Sequence, residues 1–192
     1  MKKTDTLIGL TVISLATAEK VGNVCNYLVN AEKGTVDYLV IETDHKTMNS
    51  FVISTKDVIR AGNNAVIVEN EDVMLDNRSV ADAIRLFQKN IQIKDTNILT
   101  DKGNYLGRTG DFYIHEERFD ITGLELIPSD GGSSKIIPSK YVIIYGKNTI
   151  IVKDEAVYNL LNSEDEFEDE FADEVKDAKQ VNFFMCPMKK TA

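Results

Sequence analysis

Leu39-Val40-Ile41 and Leu124-Glu125-Leu126 stand 85 residues apart, and at that offset the chain can be laid over itself. Working back, Glu32 falls on Glu117 and Gly22 on Gly107, while Ile8, Thr11 and Ile13 fall on Ile93, Thr96 and Ile98. Working forward, one residue drops out in a loop and the offset becomes 84. Phe51-Val52-Ile53 then lies on Lys135-Ile136-Ile137, Lys56 on Lys140, Val58 on Val142, Gly62 on Gly146 and Asn64 on Asn148. Val66-Ile67-Val68 ends on Ile150-Ile151-Val152. A repeat of this period defines the unit that folds, before any fold class is assigned. The unit is about 75 residues long and occurs twice.

Within the first unit, Leu10 to Leu15 is a short apolar run, and a polar turn follows through Thr17-Ala18-Glu19-Lys20. After Gly22 the residues alternate, with Val24, Asn26 and Leu28 against Cys25, Tyr27 and Val29, the period of a half-buried strand. Ala31-Glu32-Lys33-Gly34 is a turn, and Val36 to Ile41 is a strand rich in β-branched and aromatic residues. Phe51-Val52-Ile53, Val58-Ile59 and Ala65 to Val68 complete the set, with Gly62-Asn63-Asn64 as a tight turn. The second unit repeats this order from Ile98 to Val152. Short strands at this spacing predict a mainly β fold of two tandem small barrels. The glycine-rich loop Ser129 to Ser134 has no Gly-Lys-Ser/Thr and no helix after it, so it reads as a hairpin tip, not a phosphate cradle.

Between the units, Val80, Ala83, Ile84 and Phe87 recur at helical spacing, with Asp82, Arg85, Gln88 and Lys89 facing away. Ser79 and Asp82 resemble a capping box, and one amphipathic helix is predicted from Asp76 to Asn90. The chain accordingly divides into a first barrel at 6–75, a linker helix at 76–92, a second barrel at 93–161 and an acidic tail at 162–192. A barrel of this size is marginal alone, so the halves are expected to lean on each other or on the helix.

The net charge of −9 is concentrated. Ser163 to Asp177 holds nine acidic residues and one lysine, a net of −8, and the rest of the chain is at −1. An acidic chain lacks the counterion-release drive toward phosphate backbones, so direct nucleic-acid binding is not expected. Cys25 and Cys186 are far apart with no second ligand nearby, the pattern of a reduced cytoplasmic protein with one core and one tail cysteine. Met1-Lys2-Lys3 and the run to Ala18 superficially match a leader peptide. The run recurs inside the chain, however, and so reads as a strand of the fold. No segment has the apolar length of a membrane span.

The chemistry-bearing residues are few. His45 is placed in a loop, and His115 beside Glu116 and Glu117, whose charge is expected to raise its pKa. Asp101 and Asp111 flank the Gly107 turn. No metal, nucleophile or nucleotide signature is present, so no enzyme, metal or cofactor is expected. The tail is the candidate for partner binding. Phe167, Phe171 and Val175 recur every four residues in an acidic background, and Phe183-Phe184 precede a basic end. Such a segment folds onto a partner groove, or docks on its own barrels as a closing helix.

Ile8-Gly9-Leu10-Thr11-Val12-Ile13-Ser14, Lys20 to Val24, and Gly34-Thr35-Val36 through Tyr38-Leu39-Val40-Ile41 resemble the PRC-barrel family. The second half carries the same pattern in Tyr105-Leu106-Gly107, Ile121 to Leu126 and Ile136-Ile137-Pro138, where Pro138 is nearer the family pattern than Ser54. The family includes the cytoplasmic domain of the photosynthetic reaction centre H subunit and the C-terminal domain of the ribosome maturation factor RimM. The resemblance spans residues 6–160 and is similar to the tandem PRC-barrel proteins of Gram-positive bacteria. It implies a tandem β-barrel used as a docking platform: a non-catalytic adaptor with an unidentified protein partner. The alternative it implies is a factor in ribosome assembly or RNA processing that binds a basic protein. It departs from the H subunit in having no transmembrane helix, and from RimM in having no N-terminal barrel of that kind.

Overall fold

The computed structural model describes residues 1–43 and 51–167. His45, Phe171, Val175, Phe183, Phe184 and Cys186 lie outside the described residues. The first unit comprises β1 (Lys2–Lys3), β2 (Thr11–Ser14), β3 (Lys20–Asn30), β4 (Thr35–Glu42), β5 (Phe51–Ser54), β6 (Val58–Ala61), β7 (Ala65–Val68) and β8 (Leu75–Asp76). After the helix α1 (Ala81–Lys89) come β9 (Asn97–Thr100), β10 (Tyr105–Ile114), β11 (Ile121–Pro128), β12 (Lys135–Pro138), β13 (Val142–Tyr145) and β14 (Thr149–Val152). The protein is mainly β, with two sheets and one α-helix among the described residues.

The sheets share one strand order. The first runs β6-β7-β2-β3-β4-β5-β8, and the second runs β13-β14-β9-β10-β11-β12. In each, a single pair is parallel, β2 with β7 and β9 with β14, and the other pairs are antiparallel. The exceptions to the correspondence are β8, which pairs with β5 at the end of the first sheet only, and β1. The latter leaves the first unit and pairs with β10, Lys2 opposite Ile114 and Lys3 opposite Tyr113.

Two glycines show why the repeat holds. A Cβ on Gly22 would stand 2.6 Å from the Glu42 carbonyl oxygen, and one on Gly107 would strike the Ile127 carbonyl oxygen. Both pairs are 85 residues apart, so the long strands of both units cross their neighbours at the same close approach. The tight turns correspond as well, with the Gly62 amide donating to the Ala65 carbonyl and the Gly146 amide to the Thr149 carbonyl.

The units meet through a pseudo-twofold axis. Val36 N donates to the Phe119 carbonyl at 2.9 Å, and Ile121 N to the Gly34 carbonyl at 2.8 Å. Thr35 and Asp120 form the bridge between these bonds. Each pair is related by the repeat offset, as is the edge-on ring pair Tyr27–Phe112, with centroids 5.6 Å apart. Gly34 and Phe119, equivalent positions, both have left-handed backbone, at φ 66° and 58°. Phe119 adopts that conformation with its ring wholly buried, so the packing energy of the ring offsets local backbone strain. The apolar interior is continuous between units, running from Val12, Leu39 and Val66 to Ile98, Leu124 and Ile150. The small size of each sheet unit is met by this shared core.

The helix is shorter than its sequence pattern. Asp76 accepts from the Arg78 amide and closes a separate turn over Asn77–Ser79, and the Ser79 hydroxyl donates to the Asp76 carbonyl. Val80 precedes α1 with no side-chain cap, so Ser79 and Asp82 form no capping box. The sequence pattern was also wrong about Cys25, which is exposed. Register is interrupted between Val24 and Asn26 against β4, and that irregularity turns Cys25 outward.

Candidate docking surface

Helix α1 lies on the outer face of β3, β4 and β5. Ala83 and Leu86 are buried there against Leu28, Val40 and Val52, with Tyr38 and Val80 packed alongside. The predicted stripe included Ala83 but also Ile84 and Phe87, and these two point away, 37% and 42% exposed. At about 100° per residue, the pairs 83/86 and 84/87 form two adjacent stripes. A sheet face covers only one of them. The second stripe is therefore an apolar surface that the described residues leave uncovered.

Phe87 borders two concave regions. One, of about 400 Å³, is shallow and lined by Asn77, Arg78, Ile84, Phe87 and Gln88. The other, of about 260 Å³, lies between α1, β3 and the connection from Asn90 to Asp95. Tyr27 lines this cleft, and burial pushes its phenol up in pKa. The cations nearest the surface are engaged: Arg78 with Asp76 at 2.7 Å, Arg85 with Asp82 at 3.5 Å, and Lys89 with Glu32.

Below the cleft is a buried polar cluster. Asp111 accepts from the Thr4 hydroxyl, from the Asp5 amide at 3.0 Å and from the Phe112 amide at 2.7 Å. Lys94 Nζ stands 3.2 Å from Asp111 and also pairs with Asp5. Burial by itself would raise the Asp111 carboxyl, but these donors more than offset it, and its pKa is held below the ordinary range. The cluster ties the first residues of the chain to β10 and to the connection after α1. Asp101 serves a different end, accepting from the Asp154 amide at 3.0 Å, so the two aspartates take separate structural partners.

His115 behaves contrary to expectation. Burial, then the Arg118 charge, lowers its pKa despite Glu117 and Asp120 nearby. Its Nδ1 accepts from the Glu117 amide at 3.2 Å and the Arg118 amide at 3.3 Å, so this nitrogen shapes the turn. Among the described residues, no group of three or more His, Cys, Asp or Glu is arranged to hold a metal ion.

Phe167 takes the self-docking reading of the tail. It is buried on the outer face of the second sheet, against Tyr113 and Ile136, with Leu161 and Met1 packed alongside. Its ring meets Tyr113 edge-on at 5.3 Å and covers Gly123, where a Cβ would stand 2.6 Å from the ring. The Ser163 hydroxyl accepts from the Glu166 amide, and Glu166 accepts from the Asn162 amide, which opens the short helical turn carrying Phe167. Leu28 and Val52 under α1 are the counterparts of Tyr113 and Ile136 under Phe167. Each outer face is thus covered by the segment that follows its own unit. Glycine in the middle of β11 was the sequence signal for this seat. Phe167→Ala is expected to lose about 2 kcal/mol in urea unfolding. A loss under about 0.5 kcal/mol would mean that the ring is not seated there.

Strand order and surface define a class: a mainly β protein of two sheets carrying an exposed apolar helix face, with no described helix long and apolar enough to cross a membrane. Residues 1–75 match the family model of the PRC-barrel domain, and a PRC-barrel domain therefore stands at the head of this chain. No curated protein matches the chain.

Proposed function

We propose that the protein is a non-catalytic, cytoplasmic docking module made of two PRC-type barrels, and that it holds a protein partner on the outward face of α1. The observation that carries this reading is the exposure of Ile84 and Phe87 on a helix whose other face is fully used. Aromatic side chains next to concave surface are the usual anchors of protein interfaces. The PRC-barrel match at residues 1–75 supports a platform role, and the shared strand order supports reading the second unit as a second barrel of the same type. Phe171, Val175, Phe183 and Phe184 belong to the same reading as a second contact, separate from α1.

The test compares capture of proteins from native cells by the full chain, by Phe87→Ser and by Leu15→Ser. Leu15 is 66% exposed and remote in sequence from α1. A specific partner retained by Leu15→Ser and reduced at least tenfold by Phe87→Ser is the expected result. Equal capture by both variants removes α1 from the interface. A partner drawn from ribosomal particles would place the module in ribosome assembly.

A further inference from the structure

The outer faces of the two sheets are closed in the same order but to different depths. At the first, β8 pairs with β5 at two positions, Phe51 with Asp76 and Val52 with Leu75, and the nine-residue α1 follows with Ala83 and Leu86 buried. At the second, Ile136, the counterpart of Val52, is met by a single bridge to Leu161. One helical turn follows, and Phe167 is the one buried side chain that it carries among the described residues.

This short cover is specific in chemistry and loose in fit. The Ile136 amide donates to the Leu161 carbonyl at 2.9 Å, and the Leu161 amide donates back at 3.0 Å, as a neighbouring strand would. Lys135 Nζ donates to the Asn162 side chain at 2.8 Å. Lys3 Nζ lies 3.1 Å from the Glu164 carboxylate and 3.2 Å from that of Glu125, over the Tyr113 ring. The Tyr113 hydroxyl donates to Glu164 at 3.0 Å. Lys3 above all holds the Glu164 carboxyl below the usual carboxylate range, so the seat selects a charged acid. Three residues on, the Phe167 ring fills the hollow over Gly123. Between this segment and the sheet lies a cavity of about 150 Å³, bordered by Lys3, Glu125, Ser134, Lys135 and Ser163. Glu164 is itself 60% exposed, so other carboxylates compete for Lys3.

We propose that this seat binds peptides. A partner segment with an acidic residue three places before an aromatic one adds to the edge of β12 and displaces residues 162–167, the internal occupant. Each element of the seat reads one feature of such a segment. The β12 edge takes its backbone, Lys3 and Tyr113 take its carboxylate, and the hollow at Gly123 takes its ring. The cavity leaves room for side chains larger than Asn162 and Ser163, so a partner segment fills the seat better than the chain does. The first face offers no such exchange, since α1 is joined to sheet strands at both ends. The seat is separate from the outward stripe of α1, and its occupancy does not depend on that stripe.

The probe is a synthetic peptide of residues 161–167 whose phenylalanine carries a ring fluorine, added to the full chain and followed by fluorine NMR. Phe167→Ala empties the seat and is expected to bind the peptide at least tenfold more tightly than the parent, whose own segment competes at an effective concentration of about millimolar. Glu164→Gln in the peptide, or salt at about 1 M, should weaken binding at least threefold. Gly123→Ala, added to Phe167→Ala, puts a Cβ within 2.6 Å of the ring's place, and the folded double variant should not bind. Should Phe167→Ala lose its fold, Glu164→Ala in the chain loosens the same segment with the ring kept, and should bind the peptide at least threefold more tightly than the parent. Equal binding by the parent and these variants, or binding undiminished by Gly123→Ala, would overturn the proposal. So would a parent that sediments as a dimer beside a monomeric Phe167→Ala chain, which would make a second copy of this chain the occupant.

Discussion

Gly107→Ala is expected to destabilise the protein by about 3 kcal/mol or more, the largest effect of any glycine-to-alanine change among the described residues. Two independent causes act together. Gly107 has φ 151°, a conformation that side chains rarely adopt, and its Cβ would press on the Ile127 carbonyl and on backbone atoms of Ile127 and Pro128. The obstruction is backbone on a paired strand, Gly107 lying opposite Pro128, so no side chain can swing aside. For a chain of this length such a loss corresponds to about 6–12 °C in melting temperature. Gly22→Ala meets the Glu42 carbonyl and an Ile41 methyl group, but without a positive φ, and should cost less. Thermal melts of both variants decide the matter. If Gly107→Ala melted within about 1 °C of the parent, the close crossing of β10 and β11 would be wrong.

Asp111→Ala is expected to cost about 3–5 kcal/mol at neutral pH. The carboxylate is 3% exposed, and its removal strips Thr4, the Asp5 and Phe112 amides and Lys94 of a common acceptor. The pH dependence has a definite sign. The folded-state pKa of Asp111 lies below its unfolded value of about 3.9. Its contribution is therefore fully present above about pH 4 and is lost as pH falls through the lower folded value. Stability measured by urea unfolding from pH 6 to pH 2.5 should fall less steeply in Asp111→Asn than in the parent. Parallel curves would show that the carboxylate carries no charge-dependent share of the fold. Because Thr4 and Asp5 follow β1, the same variant should also speed amide exchange at Lys2 and Lys3.

Much of the architecture was legible in residue order. The offset of 85, then 84, predicted which strand corresponds to which, and the structure returns one strand order in both sheets. The residues that carried that prediction were the glycines at close crossings and turns, because steric exclusion at the backbone admits few substitutes. Helix α1 was legible in type and less so in extent or facing. Its apolar arc is wider than the sheet can cover, and periodicity alone does not say which edge of an arc is buried. Cys25 was misplaced for a related reason, since one β-bulge inverts the facing of neighbouring residues without a mark in composition. His115 was misjudged because its acidic neighbours in sequence were visible, while the burial that lowers its pKa was not.

By itself the sequence determined the mainly β class and a helix between the two sheets, which follow from local periodicity and composition. Tertiary structure alone decided the pseudo-twofold pairing at Thr35 and Asp120, the crossing of β1 to the second sheet, the seat of Phe167 over Gly123 and the outward turn of Ile84 and Phe87. Each of these depends on contacts between residues distant in the chain, and their energies come from shape and burial at the meeting point. A residue type shows that a side chain is able to be buried; only the partner surface determines whether it is.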